Sequence, residues 1–134
     1  MQMSRILLTY AVSVPVFFCI DMIWLGVIAK GFYRNALEPL LTPNINWIAA
    51  IIFYLLFLVG VLIFALLPGM TKRSLVYTIE MAALFGFIAY ATYDLTNLAT
   101  LRDWPLTLSI VDMIWGSFLS ASTATMTYLI MSRI

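Results

Sequence analysis

The sequence has no histidine, a single cysteine and little charge, and each shortage excludes a class of function. Histidine is the commonest general base and a frequent zinc ligand, so its absence removes the usual acid–base and zinc centres. With Cys19 alone, neither an intrachain disulfide nor a multi-cysteine metal site can form. A formal net charge of +1 provides no basic patch for nucleic acid. We therefore expect no cofactor and no nucleic-acid partner, whereas the sequence leaves open whether a metal binds.

Charged residues make up only 10% of the 134 residues, hydrophobic residues make up 64%, and the mean hydropathy is +1.05. A soluble domain carries about 25% charged residues. A soluble fold of this length also has too little interior to bury so many apolar side chains. Lipid, in contrast, accepts apolar side chains on the outside of a protein. The composition therefore predicts an integral membrane protein whose immediate partners are membrane lipids.

Four apolar stretches are long enough to cross a bilayer, which takes about 20 residues. They cover residues 6–29, 47–67, 75–101 and 105–131. The first lacks a small-x-small cleavage motif, so we interpret it as a retained helix and not as a signal peptide. The sequence thus predicts one membrane domain over residues 1–134, an all-α, antiparallel bundle of four transmembrane helices with short loops.

The longest connection, residues 30–46, has apolar residues at helical spacing and contains the pair Glu38-Pro39. Proline disfavours a helical conformation in the residue before it. We therefore expect a short helix in the membrane interface that is interrupted at this pair.

Lysine and arginine in the connections favour placing both termini in the cytoplasm. This orientation puts four basic residues on the cytoplasmic side and three on the outer side. The cytoplasmic set is Arg5, Lys72, Arg73 and Arg133, and the outer set is Lys30, Arg34 and Arg102. The predicted orientation rests on a difference of one residue.

Three aspartates, Asp21, Asp94 and Asp112, lie inside the predicted spans. At 1.5 Å per residue, Asp21 lies roughly 12 Å below the outer end of its span, and the other two lie about 10 Å deep from the same side. All three therefore share one level in the outer half of the bilayer. A carboxylate at this depth costs about 2.5–3.5 kcal/mol on insertion scales, so it should face the bundle interior and find partners. We expect the three to converge around the bundle axis.

Two of these aspartates begin the tetrapeptide DMIW, which occurs at 21–24 and again at 112–115. Residues three apart lie on one helix face, and an indole N–H can donate a hydrogen bond to a carboxylate. Asn97 lies one turn after Asp94, the remaining aspartate, and Arg102 lies at the outer end of the same span. The predicted binding residues are Asp21, Trp24, Asp94, Asn97, Arg102, Asp112 and Trp115. The alternative interpretation is that the acids only hold the helices in register.

Two stretches resemble a bacterial family of small, predicted four-helix membrane proteins of unknown function; they are FFCIDMIWLGVIAKGFYRNALEPLL and YDLTNLATLRDWPLTLSIVDMIWG. The resemblance covers nearly the whole chain and rests on the motifs FxxxDxxWL, NLATLRDWP and DxxWG. It implies a multi-pass protein of the bacterial inner membrane and supplies no mechanism. It also implies a family motif that includes Asp21, Trp24, Tyr33, Asn97, Leu98, Asp103, Trp104, Pro105, Asp112, Trp115 and Gly116.

The sequence leaves three functions open. The first is a membrane-embedded binding or transport protein whose outer-half pocket of aspartates accepts a cation, a proton or a small polar molecule. Because four helices are few for a transport pathway, this function favours a homo-oligomer or a larger membrane complex.

The second function is a lipid-modifying membrane enzyme, or an accessory subunit of one, with the acids as general acid–base groups or as ligands of a hard cation. The chain lacks histidine and an activated nucleophile, which weighs against independent catalysis and leaves enzymatic activity open. The third function is a structural membrane subunit.

Overall fold

The computed structural model describes residues 1–134, of which 86% are helical and none is in a strand. Four helices are long and apolar enough to cross a membrane, and they cover Met3–Ile28, Trp47–Thr71, Leu75–Thr100 and Leu106–Ser132. We label these α1, α3, α4 and α5, and the short helix Lys30–Leu37 between the first two is α2. The prediction of an all-α membrane protein with four spanning helices is confirmed.

Two of the long helices contain a π-helical segment, at Trp24–Ile28 in α1 and at Leu62–Leu66 in α3. Such segments are rare and occur frequently at functional sites. A π-helical turn contains more residues than an α-helical turn, so it changes which side chains share a face. In α1 this change begins at Trp24, one of the predicted binding residues.

Helices α4 and α5 form the most extensive helix pair, and two glycines explain how closely they approach. A Cβ atom on Gly86 would overlap the side chain of Ser120 and the carbonyl oxygen of Gly116. A Cβ atom on Gly116 would overlap the ring of Tyr90. Small residues at membrane helix interfaces permit this kind of close backbone packing. The pair therefore provides the rigid wall that carries Asp94 and Asp112.

Helix α3 packs against the other helices mainly from Tyr54 onwards. No residue of 47–56 is buried, whereas Phe57, Leu58 and Val61 belong to the main hydrophobic core. That core also contains Phe17 from α1 and Leu119 from α5. The first turns of α3, residues 47–52, thus lie mainly outside the packed core, whereas Phe53 and Tyr54 reach the level of the aspartates.

Helix α2 lies over one end of the bundle and is followed by a 3₁₀ turn at Glu38–Leu40. Its residue Leu37 packs with Trp104 and Leu108 in a second, smaller core cluster. The α-helix ends directly before Glu38-Pro39, as the proline predicts. At the opposite end, the Arg5 guanidinium donates a hydrogen bond to the carbonyl oxygen of Met131 at 2.7 Å, which joins the start of α1 to the end of α5.

Candidate functional site

A cavity of about 390 Å³ lies among the helices at the level of the three aspartates, and all three line it. Asp21, Asp94 and Asp112 are 4%, 0% and 8% exposed, so each is buried within the chain. Half of the fourteen lining residues are aromatic, and these are Trp24, Tyr33, Phe53, Tyr54, Tyr90, Tyr93 and Trp115. No lysine or arginine lines the cavity. Its interior therefore combines aromatic walls with carboxyl groups.

Helix α2 supplies the hydrogen-bond partner of Asp112. The Tyr33 hydroxyl donates to Oδ1 of Asp112 at 2.8 Å, and the Trp24 indole N–H donates to the Tyr33 hydroxyl oxygen at 3.0 Å. Burial raises the pKa of Tyr33, and the nearby Asp112 carboxylate raises this pKa further. Tyr33 consequently keeps its proton and remains a donor to Asp112 near neutral pH.

Asp21 receives its hydrogen bond from the opposite helix. The Trp115 indole N–H donates to Oδ1 of Asp21 at 3.4 Å, which is a long hydrogen bond. The rings of Trp24 and Trp115 stack with centroids 4.3 Å apart and planes inclined by 10°. Neither tryptophan donates to the aspartate of its own tetrapeptide. The two DMIW segments thus meet through their stacked indoles, and one hydrogen bond, from Trp115 to Asp21, joins them.

The Asp94 side chain is fully buried, and neither of its carboxylate oxygens has a hydrogen-bond donor. Its carboxyl group lies within hydrogen-bond reach of the Asp112 carboxyl group. Two ionised carboxylates at this separation repel each other, so the pair needs a proton or a cation between them. An unpartnered buried charge is strongly destabilising. Asp94 is therefore the residue of the cavity whose chemistry is incomplete.

A hydrogen-bonded chain fixes the backbone at Asp94. The indole N–H of Trp104 donates to the Ser109 hydroxyl oxygen at 2.9 Å, and that hydroxyl donates to the Asp94 carbonyl oxygen at 2.9 Å. Both side chains are buried. The turn between α4 and α5 thereby holds Asp94 in place without contributing a donor to its carboxylate.

Two of the predicted binding residues, Asn97 and Arg102, do not line the cavity. Asn97 is half-buried on α4, and Arg102 is exposed in the turn that follows this helix. The nearby Trp104 is instead buried in the cluster that contains Leu37. No basic side chain therefore neutralises the aspartates, and Asp21, Trp24, Asp94, Asp112 and Trp115 are the predicted residues that the structure brings to the cavity.

The sequence interpretation missed Tyr54 and the role of Tyr33. Tyr54 lies on α3, beside Asp21, within a stretch whose composition indicates only lipid-facing surface. Nothing in the sequence distinguishes it from a tyrosine near a membrane interface. Tyr33 appears in the family resemblance, but its contact with Asp112 depends on how α2 folds back over the bundle.

The three aspartates do not form a metal cage, because no three histidine, cysteine or acidic side chains are grouped so that they could hold a metal ion. Asp94 and Asp112 are adjacent, whereas Asp21 occupies a separate position and is hydrogen-bonded to Trp115. The cavity therefore presents a carboxyl pair and one further carboxylate.

Comparison with known proteins identifies one family. The model of a family described as "Predicted membrane protein (DUF2177)" matches residues 6–129. This match confirms the resemblance to a membrane protein family of unknown function. No curated protein and no solved structure matches the chain.

Proposed function

The chain belongs to the DUF2177 family of predicted membrane proteins, and from that premise we propose that its aspartate cavity binds a cation, a proton or a small polar molecule. Asp94 carries the proposal. Its side chain is fully buried, both carboxylate oxygens lack donors, and its nearest acidic neighbour is Asp112. A bound cation or proton supplies the missing partner.

The charges around the cavity support a positively charged occupant over an anion. Three carboxyl groups line the cavity and no basic residue does. Tyr33 donates to one oxygen of Asp112, and both oxygens of Asp94 lack a donor. Attraction between opposite charges is stronger in a low-dielectric interior than in water. An anion would be repelled for the same reason.

A purely structural role for the acids explains the contacts less well. An aspartate that only fixes helix register should make hydrogen bonds across the helices, as Asp21 and Asp112 do. The Asp94 carboxylate receives no hydrogen bond from a protein donor, and its neighbour across the helices is another carboxyl group, although it is the most deeply buried of the three. A group that costs free energy without contributing a contact is better explained as part of a binding site.

We further propose that the protein lies in the bacterial inner membrane with both termini in the cytoplasm, as the distribution of lysine and arginine favours. The cavity then lies in the outer half of the bilayer. Membrane lipids are the proposed partners of the exposed apolar side chains on α3. A homo-oligomer is the form in which four helices per chain would line a transport pathway.

Thermal unfolding of the purified protein in detergent tests the cation proposal. Chloride salts of sodium, potassium, magnesium and ethylammonium are compared at equal ionic strength, and protons are varied separately through the pH. A cation that binds the native state should stabilise it by about 2.7 kcal/mol at a hundredfold excess over its Kd. We expect such a response in the wild type and its loss in Asp94→Asn.

Glu80→Gln is the matched control, because Glu80 is exposed on the same helix and lies away from the cavity. Its response should equal that of the wild type. The cation proposal fails if the wild type and Asp94→Asn respond identically to every salt and to pH.

A further inference from the structure

The walls of the cavity favour a particular kind of cation. The stacked indoles of Trp24 and Trp115 form part of one wall, and the rings of Tyr54, Tyr90 and Tyr93 also face the cavity. Aromatic faces attract cations through the electrostatic field of the ring. They do not coordinate a small metal ion, which needs a shell of oxygen ligands.

The carboxyl groups are arranged unfavourably for a bare metal ion and favourably for an ammonium group. No three acidic side chains are grouped to hold a metal. An alkylammonium group instead brings its own three N–H donors. Those donors can meet the oxygens of Asp94 and Asp112, which have too few donors from the protein. The ammonium would thus be the cation that the two adjacent carboxyl groups of Asp94 and Asp112 need between them.

The size of the cavity is sufficient for more than an ion. Its volume of about 390 Å³ falls within the range of small-molecule sites. The lining beyond the aspartates is apolar, with Leu25, Phe53, Ala89 and Leu108 among the contacts. An occupant therefore needs an apolar body attached to its charge.

The mouth of the cavity faces the side of the bundle. Among the lining residues, Leu25, Phe53 and Tyr93 are 40%, 49% and 53% exposed, and they lie on α1, α3 and α4. Phe53 follows the start of α3 by six residues, roughly 9 Å along the helix axis. Because these three exposed lining residues belong to spanning helices, the cavity can be reached at the depth of the hydrocarbon core. A ligand can consequently enter from the lipid.

The geometry points to an organic ammonium with an apolar body, taken laterally from the membrane, as the ligand of the Asp94–Asp112 pair. This inference rests on the proposed function and specifies its substrate class. The chemistry is shared by a free alkylamine and by the primary amine of an ethanolamine phospholipid headgroup. In either case the ammonium contacts the carboxyl pair and aromatic rings, and the apolar part extends past Leu25 and Phe53.

Calorimetric titration of the full-length protein in phosphatidylglycerol nanodiscs tests this ligand class with hexylammonium as the probe and hexanol as its uncharged match. We expect saturable binding of hexylammonium, none of hexanol, and loss of binding in Asp94→Asn. Tyr93→Leu should weaken binding by about two- to fivefold, because it removes one ring from the exposed mouth.

Phe87→Leu is the matched control, because Phe87 is an exposed aromatic residue of the same helix that does not line the cavity. Its Kd should stay near that of the wild type. The ammonium inference is overturned if hexanol binds as well as hexylammonium, or if Tyr93→Leu binds like the wild type. If metal ions or protons act through Asp94 but hexylammonium does not bind, the proposed cation function survives and this inference fails. If no cation acts, both fail.

The two sources of the amine are separated by repeating the titration in nanodiscs that contain phosphatidylethanolamine. Competition from that lipid should raise the apparent Kd of hexylammonium if the headgroup is the ligand. An unchanged Kd assigns the site to a free amine.

Discussion

Asp94 and Asp112 have adjacent carboxyl groups but different surroundings. Asp112 accepts a hydrogen bond from Tyr33, which in turn accepts one from Trp24. Asp94 accepts none through its side chain. On the proposed function this difference gives the two residues separate roles, because the protein orients the Asp112 carboxyl and the Asp94 carboxyl would contact the bound ligand. Substitution of Tyr33, which donates to Asp112, should therefore lower the free energy of unfolding.

Tyr33→Phe should destabilise the fold, because it leaves Oδ1 of buried Asp112 without its donor and the Trp24 N–H without its acceptor. We expect a loss of about 1–3 kcal/mol in the free energy of unfolding. Tyr10→Phe is the control, since the Tyr10 hydroxyl donates only to an exposed backbone carbonyl. Unfolding in detergent measures both variants. Equal losses of unfolding free energy in the two variants would mean that the Tyr33–Asp112 hydrogen bond stabilises the fold no more than the exposed Tyr10 hydrogen bond does.

The raised pKa of Tyr33 also predicts a pH dependence. A tyrosine in the unfolded chain loses its proton near pH 10, whereas folded Tyr33 retains it. Stability from this group is therefore complete below about pH 10 and decreases as the pH rises further. The difference in the free energy of unfolding between the wild type and Tyr33→Phe should therefore become smaller above that pH. Unfolding measured across neutral and alkaline pH tests this, and a constant difference between the two proteins would contradict it.

The packing of the helices sets the positions of the cavity walls, and the α4–α5 pair contributes most to those positions. Asp94 and Tyr90 lie on α4, and Asp112 and Trp115 lie on α5, so the spacing of these helices sets the spacing of the carboxyl pair. Helix α2 then covers the end of the pair and delivers Tyr33. Helix α3 adds Phe53 and Tyr54 to the cavity wall, and Phe53 is exposed.

Gly86→Ala should destabilise the protein by about 1–3 kcal/mol, because the new Cβ would overlap backbone and side-chain atoms of α5 and force the helices apart. Gly26→Ala is the matched control, since nothing lies within 4 Å of its added Cβ. Thermal unfolding in detergent should separate the two variants clearly. The close-packing explanation fails if Gly86→Ala is as stable as Gly26→Ala.

Across the whole molecule, the four spans and the basic residues determine how the chain lies in the membrane. The expected arrangement places both termini in the cytoplasm and the connection that contains Thr42 outside. A fluorescent protein fused after Arg133 should therefore fluoresce, and alkaline phosphatase inserted near Thr42 should be active. Phosphatase activity from a fusion at the C-terminus would reverse the orientation and place the cavity in the inner half of the bilayer.

The hydrogen-bond donors to Asp21 and Asp112 could not be predicted from residue spacing along the chain. The DMIW repeat places a tryptophan three residues after Asp21 and after Asp112, which favours a bond within each helix. In the structure the Trp115 N–H reaches Asp21, 94 residues away, and Tyr33 reaches Asp112, 79 residues away. Arg102 has suitable charge and sequence position, yet it is exposed and does not line the cavity.

The sequence by itself determined that lipid surrounds the chain, where the four spans lie, and that the three aspartates share one depth. Hydrophobicity and a fixed rise per residue act along the chain and need no knowledge of neighbours. Only the tertiary structure decided that Asp94 lacks a donor, that Tyr33 supplies one to Asp112, and that aromatic residues from all four spanning helices line the cavity with the aspartates. Those facts depend on which helix faces which, and that choice comes from side-chain packing among residues far apart in the sequence.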